Sequence, residues 1–457
     1  MAAFLTRLGG TLFAVVIIAR PGVAAPPLTR ACQAPPLPAP RGNVVTVANE
    51  PALRAAVAAI ASNETIVIQP GTYNLAAGGG TLYFNRAVAN VTIRGATNGC
   101  NDVVLKGAGM TTQGNTPFGI WVGGPTGMLI ANLTIRDIFY HPIMLDPNSG
   151  GTQNPRIYNV RLVDAGEQFI KVSQKGSGTP VPGSGVANGI VEYSVIEYSR
   201  TKDPNGPGGP GYTNGVDILT GSNWIVRNNL FRNIRAADGF GLAGPSVLAW
   251  KGTIGTIVEG NLFLNCQYGI ALGLDGAFPG DHAGGIVRNN LFHRTSAQSG
   301  DVGIVINNSA NTKVFHNTIV LSGTYPNAIE YRFPGTTGFV AQNNLSDAAV
   351  RQRDGASGTA IGNITNAAPD WFLDAGAGDL HLRDTATLAI DQAAPLADVT
   401  SDYDGDSRPV GTAADVGADE LTGTASSRPA SESSARGRAH CSGNSAELRL
   451  AQSFSLY

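Results

Sequence analysis

Charge is scarce in this chain. Only 14% of its 457 residues are charged, the formal net charge is −2, and the Lys and Arg residues are scattered rather than gathered into a patch. That excludes a nucleic-acid partner, because neutralising a phosphate backbone needs a dense basic surface. Cysteine is equally sparse. Cys32, Cys100, Cys266 and Cys441 are too few to scaffold a fold, although they suit an oxidising compartment, and no CxxC or Cys/His spacing gives a zinc signature. Cys32 with Cys100 would pin an N-terminal arm to the first part of the body, and Cys266 reads as a small buried apolar residue. Long apolar runs are missing too. The run from Leu8 to Ala19 is too short to span a bilayer and nothing later approaches about 18 apolar residues, so no integral membrane segment is expected. With Arg7 before that run and Val23-Ala24-Ala25 after it, residues 1–25 have the layout of a secretory signal peptide, and the mature chain is expected to be exported, to the medium, the periplasm or the cell surface.

What the chain has instead is glycine, 59 residues, with 27 prolines, and a repeated motif. IVRNNLF occurs at Ile225–Phe231 and again at Ile286–Phe292, with IVEGNLF at Ile257–Phe263 between them. Anchored on the fifth position, the repeat reads Asn132, Asn159, Ser194, Asn229, Asn261, Asn290, Asn317 and Asn343, spaced by subtraction 27, 35, 35, 32, 29, 27 and 26 residues. Periods of this size signal a solenoid, in which each unit contacts only its neighbours and one domain can grow along a single axis. Helical caps and a 3.6-residue apolar period are absent between the copies, so the unit is a β-coil. Equivalent residues of stacked coils lie roughly 4.8 Å apart, which puts the Asn side chains in a column able to bond along the stack, and Asn also tolerates the left-handed bend of a coil corner.

A second strand follows each Asn: PIMLD, FIKVS, GVDIL, SVLAW, GIALG, GIVIN and AIEYR, beginning at Pro142, Phe169, Gly215, Ser246, Gly269, Gly303 and Ala328. The second and fourth positions are apolar and must face inward. Strand alternation then sends the third position outward (Met144, Lys171, Asp217, Leu248, Ala271, Val305, Glu330), together with the fifth (Asp146, Ser173, Leu219, Trp250, Gly273, Asn307, Arg332). On this register Ile304→Asp should be severe and Val305→Asp mild.

At these residues the chain resembles the right-handed parallel β-helix proteins of the pectate-lyase-like superfamily. The likeness extends from VVTVANEPALRAAVAAIASNETIVIQPGTYNL, which begins at residue 44, to DYDGDSRPVGTAADVGADE at Asp402–Glu420. It implies an all-β fold: a single right-handed parallel β-helix over 45–420, with a capping helix between Pro51 and Ile60, an N-terminal arm over 26–44, and a Ser/Ala/Arg-rich disordered tail over 421–457. It also implies an exported protein working on polysaccharide, expected to be a monomer.

Chemistry is expected on the outward face of the second strand, walled by the Gly/Pro-rich inserts SQKGSGTPVPGSGVANG and RTKDPNGPGGPGYTNG, with LDGAFPGDHAGG lengthening a later coil. Lys171 and Asp217 share one outward column on adjacent coils, within salt-bridge reach. β-Elimination at a uronic acid needs a base for the C5 proton and a cation for the carboxylate. The resemblance therefore points to Lys171 or Lys251 as base, with Asp217 as their catalytic partner and Asp217 and Asp146 as oxygen ligands for calcium, the one cofactor in view. No cluster of several Asp supports that metal, and the paired Asp and GHG motifs of polygalacturonases do not occur. Trp250 is either a sugar-stacking platform or a ring covered by an insert. Glu330 and Arg332, five coils from Lys171, read most simply as a surface ion pair that a longer oligosaccharide would also touch. His141 and His282 read as structural, and DYDGD as a closing turn. The readings left are a lyase of an acidic glycan, a non-catalytic glycan-binding surface or matrix protein, and a purely structural adhesin or spacer.

Overall fold

The computed structural model describes residues 32–274 and 280–422; the expected signal peptide, the start of the arm, nearly all of the expected tail, Cys441 and the middle of the insert after Leu274 lie outside them. The body is a parallel β-helix. One sheet has ten strands, one from each of ten coils, in the order Ala349–Arg353, Asn327–Arg332, Ile304–Asn307, Ile270–Leu272, Val247–Trp250, Val216–Leu219, Ile170–Val172, His141–Leu145, Phe118–Val122 and Leu82–Phe84. All nine of its pairings are parallel. Of the other strands of the coils, most form a twenty-stranded parallel sheet, and Thr253–Ile254, His282–Ala283 and Ser309–Ala310 form a three-stranded one. Three of the ten coils, those of Leu82–Phe84, Phe118–Val122 and Ala349–Arg353, lie outside the seven that the repeat reveals, since LYF, FGIWV and AVRQR do not share its spelling.

The inward columns are as the alternation requires. Ile143, Ile170, Val216, Val247, Ile270, Ile304 and Ile329 are fully buried, as are Leu145, Val172, Ile218, Ala249, Leu272 and Ile306. Each strand pairs with the next in that register, for example Ile270 with Ile304 and Ile304 with Ile329. The phenylalanines that end the motif stack along the same axis, Phe231 on Phe263 at 4.8 Å and Phe263 on Phe292 at 4.4 Å between ring centroids.

The double Asn of the motif separates two jobs. The fifth residue forms the buried ladder: Asn229 Nδ2 donates to Asn261 Oδ1 at 3.0 Å, Asn261 to Asn290 at 3.0 Å, Asn290 to Asn317 at 2.9 Å and Asn317 to Asn344 at 2.9 Å. The fourth residue takes the left-handed bend, at Asn228, Gly260, Asn289, His316 and Asn343. This corrects the sequence register at its first two copies, where Asn132 (φ 54°) and Asn159 (φ 52°) are bend residues and Leu133 and Val160 take the ladder position, and at its last copy, where the ladder residue is Asn344. Asn343 is the bend residue, with φ 57°, and its Nδ2 donates to Ala394 O at 2.8 Å. Ser194 substitutes in the ladder by accepting from Val160 N through its hydroxyl at 3.2 Å.

Helix α1, Glu50–Ala59, begins at Asn49, whose side chain accepts from Ala52 N, and it buries Leu53 and Val57 against the first coils. Cys32 and Cys100 are disulfide-bonded and Cys266 is a buried free thiol. The closing segment does not extend the coil. It lies along a flank, where Gly417 O meets His316 Nδ1 at 3.2 Å and Ala418 N donates to Thr318 Oγ1 at 2.8 Å, contacts about a hundred residues apart in sequence.

The outward face departs from the expectation. Leu248, Ala271 and Val305 are fully or almost fully covered and form an apolar cluster of their own with Val302, against which Trp250, Tyr268, Leu274 and Tyr325 pack. Val305 points away from the coil axis, as alternation requires, but into a second small core rather than into water. Val305→Asp is therefore not a mild change.

Candidate functional site

Lys171, Asp217 and Trp250 stand on three successive strands of the ten-stranded sheet. The register sets Lys171 opposite Asp217 and Leu219 opposite Trp250, which leaves the indole one diagonal from Asp217 on the same face, within reach of a long side chain. Lys171 Nζ lies 2.5 Å from Asp217 Oδ2, and Trp250 Nε1 donates to Asp217 Oδ1 at 2.8 Å. Asp217 has only 2% of its side chain exposed against 14% for Lys171. A buried carboxylate with both oxygens engaged is an anchor, and removing one partner of such a pair typically costs about 3–5 kcal/mol. The string continues. Lys251, in a left-handed bend, carries its ammonium 4.7 Å from the centre of the Trp250 ring, and its backbone N–H donates to Asp281 Oδ1. Asp281 is buried and its Oδ2 accepts from Leu274 N at 2.7 Å.

The two long inserts flank this face from opposite ends of the strands, because one follows Val172 and the other precedes Val216. The first reaches Lys251's neighbour, with Gly183 N donating to Gly252 O at 2.9 Å. The second is tied down by Lys202, whose buried Nζ donates to Gly166 O and to Pro207 O. Burial lowers the Lys202 pKa to about 8, a value that would suit a base, but an amine with no exposed surface and two carbonyl partners fastens a loop instead. His141 sits beside Lys171. Its Nδ1 is 3.0 Å from Gln168 O, which can only accept, so the proton is assigned to Nδ1 and the Nε2 lone pair faces Glu167 Oε2 at 3.7 Å. Burial first, and the Lys171 charge second, lower the His141 pKa to about 3, while burial raises that of Glu167 against the Lys202 and Lys171 charges.

The other expected residues stand apart from this group. Asp146 caps its own turn, accepting from Asn148 N at 2.9 Å, Asn148 Nδ2 at 2.8 Å and Ser149 Oγ at 2.8 Å. Glu330 is not a surface residue. It is 1% exposed and holds Arg353 Nη1 at 2.9 Å, Asn327 Nδ2 at 2.6 Å and Tyr325 Oη at 3.2 Å, while Arg332 turns to Asp354 at 2.5 Å and stays 3.9 Å from Glu330. The simple surface pair is thus replaced by a buried anchor for the last coil, whose partner Arg353 sits in a strand the repeat does not mark. His282 is structural, between Ser309 Oγ at 2.8 Å and Thr256 Oγ1 at 3.0 Å.

A family described as "Right handed beta helix region" matches residues 195–345. The fold of this chain is a right-handed parallel β-helix. Among solved structures the β-helix resembles an alginate lyase from Paenibacillus sp. str. FPU-7, at 18% identity over 69% of this chain and 99% of that one, with a TM-score of 0.50. It resembles pectate lyase Pel9A at 14% identity over 83% of this chain and 97% of that one, with a TM-score of 0.52. Identities this low establish a shared fold and carry no residue across. No curated protein sequence matches. Among the described residues no helix of the β-helix protein is long and apolar enough to cross a membrane.

Sequence reasoning missed Asp281, Glu167 and two exposed rings, Tyr212 and Phe240, 48% and 50% accessible. Asp281 had a signal, its place in PGDHAGG just after a lengthened coil. The rings had none, because both lie in aperiodic loops.

Proposed function

We propose that this protein is exported and binds an acidic polysaccharide along the ten-stranded face of the β-helix, between the two inserts, with Lys171 and Lys251 meeting sugar carboxylates and Trp250 supplying an apolar sugar contact. The observation that carries the reading is the shared anchor: Asp217 holds Lys171 and the Trp250 indole at once, and the indole in turn carries the Lys251 ammonium. A buried acid is spent on fixing one cation and one aromatic ring at the edge of water, with a second cation over that ring, a preorganised arrangement that suits an anionic sugar chain. Neither lysine is set up as a base, since the Lys171 nitrogen is committed to Asp217 and the Lys251 nitrogen to the ring face. Non-catalytic binding is accordingly the reading the geometry supports best.

One observation favours a second reading, elimination. The neutral His141 imidazole keeps an unprotonated Nε2 near the Lys171 charge, 3.7 Å from Glu167 Oε2; buried, with its pKa lowered to about 3, it would have to become exposed and regain its ordinary value before it could serve as the base. Calcium on Asp217 and Asp146 belongs to that reading, and would have to displace the partners both carboxylates already hold. A single experiment separates the two. Purified protein is titrated with pectate, alginate and glycosaminoglycans, with and without calcium, by calorimetry, while absorbance at about 235 nm follows unsaturated product. Binding without absorbance supports the first reading, growing absorbance that His141→Gln removes supports the second, and neither signal with any polyuronate overturns both.

A further inference from the structure

Away from the sheet face, the closing segment brings together groups that the glycan site does not use. His381 lies within the second strand of the antiparallel pair formed by Phe372–Asp374 and Asp379–Leu382, Asp404 lies in the DYDGD loop, and Asp419 in the closing stretch before Glu420. One ring nitrogen and one carboxylate oxygen from each Asp lie within 4.8 Å of one another, and among the described residues this is the one such group of three. His381 Nε2 is 2.8 Å from Asp404 Oδ2, an ion pair that a metal ion would replace. Asp419 is 1% exposed. Its Oδ2 accepts from Leu382 N at 2.7 Å, and its Oδ1 is buried and without a hydrogen-bond partner. An unpaired buried carboxylate oxygen is costly and calls for a partner.

The other ring nitrogen is already oriented, with His381 Nδ1 at 2.5 Å from Asp379 Oδ1. A carboxylate on one imidazole nitrogen, with the second nitrogen aimed at further acidic oxygens, is the outer-shell arrangement that fixes metal-ligating histidines. The DYDGD loop is itself built to hold Asp404 in place, since Asp402 Oδ1 accepts from both Asp404 N at 2.9 Å and Asp406 N at 2.8 Å. An imidazole among the donors selects against calcium and magnesium, which take oxygen, and for a first-row transition ion or zinc. Tetrahedral ligands at about 2.0–2.2 Å from such an ion stand roughly 3.3 Å apart, so an ion would widen the 2.8 Å contact of His381 with Asp404 slightly and leave the group within its present 4.8 Å span. Asp404 also lines a cleft with Tyr193, Arg227, Glu259 and Arg288, giving an ion a way in.

We propose that His381, Asp404 and Asp419 form a structural site for one divalent ion of the zinc class, with Asp379 positioning the imidazole, which staples the closing segment to itself along the flank of the β-helix. The test uses the full chain, stripped with chelator and dialysed, then titrated with Zn²⁺, Co²⁺ and Ca²⁺ under calorimetry and thermal unfolding. One equivalent of Zn²⁺ should bind and raise Tm. Co²⁺ should compete for the same site and develop visible ligand-field absorption, and Ca²⁺ should do neither. Asp379→Asn should weaken binding roughly 10- to 100-fold, as loss of outer-shell partners does, and Asp404→Asn, which removes a ligand, by at least as much. A folded wild-type chain that binds no Zn²⁺ overturns the proposal, and so does Ca²⁺ binding in place of Zn²⁺. Binding unchanged in both variants overturns it too, and assigns the ion elsewhere, with His440 and Cys441 the first residues to replace.

Discussion

Asn289 and Asn290 are adjacent and identical in kind, and the same substitution should affect them very differently. Asn290 is fully buried. Its Nδ2 donates to Asn317 Oδ1 at 2.9 Å, to Val258 O at 2.9 Å and to Arg288 O at 3.0 Å, and its Oδ1 accepts from Asn261 N and Asn261 Nδ2, both at 3.0 Å. Asn290→Gly removes all five bonds. Asn261 Nδ2 keeps Val226 O, and Asn317 Oδ1 keeps the backbone N–H of residue 290. Asn261 N and Val258 O lose the side-chain partners that the ladder supplied. At about 1–3 kcal/mol for each buried group left unpaired, the loss is about 4 kcal/mol. Asn289, in contrast, sits at φ 51° and donates to Ser401 O at 2.8 Å. Glycine adopts that φ freely, and the neighbouring coil already has Gly260 there, so Asn289→Gly should cost about 1 kcal/mol, the worth of one hydrogen bond. Urea unfolding of both variants and the wild type, followed by circular dichroism, measures the difference. Equal losses, or a loss below about 1 kcal/mol for Asn290→Gly, would refute the division of labour between the two positions.

Further outcomes follow from the same structure. Ile304→Asp and Val305→Asp should both lower stability by several kcal/mol, on the order of 3 or more, because each places an unpaired carboxylate among apolar side chains; an unchanged Tm for Val305→Asp would show that the outer cluster with Leu248 and Ala271 does not form. Trp250→Ala should weaken polyuronate binding by about 1–3 kcal/mol in calorimetry, and Asp217→Asn should weaken it at least as much, because it frees both the lysine and the ring; retention of full affinity in both variants would remove the site. Acid should destabilise the fold through its buried histidines. Burial lowers His282 to about 3, below the ordinary value of about 6.5, so the unfolded chain binds the extra proton and stability, full above about 6.5, falls as pH drops towards 3, at up to about 1.4 kcal/mol per pH unit for this residue. His282→Gln should flatten the slope of Tm between pH 6 and 4, and an identical slope would assign the acid sensitivity to other groups.

The repeat by itself determined the coil, the inward columns and the ladder, because these depend on periods of two residues along a strand and one coil along the stack, and both periods are written in IVRNNLF and its relatives. It determined that Lys171 and Asp217 meet, for the same reason: they occupy one position on neighbouring coils. It slipped by one residue at Asn132, Asn159 and Asn343, which are bend residues: in the first two copies a lone Asn sits at the bend and Leu133 or Val160 takes the ladder position, and in the last, two asparagines stand side by side and only the backbone shows which one bends. Tertiary structure alone decided what lies over the outward face. Alternation says that Val305 and Glu330 point away from the core, but whether water or another side chain meets them depends on aperiodic segments: Val302 and Tyr325 over Val305, and Arg353 from a coil without the motif beside Glu330. The same holds for the closing segment, which lies against His316 and Thr318 across about a hundred residues of sequence, and for the meeting of His381, Asp404 and Asp419. Such contacts are chosen by where loops come to rest once the stack has formed, and a sequence period carries no record of that.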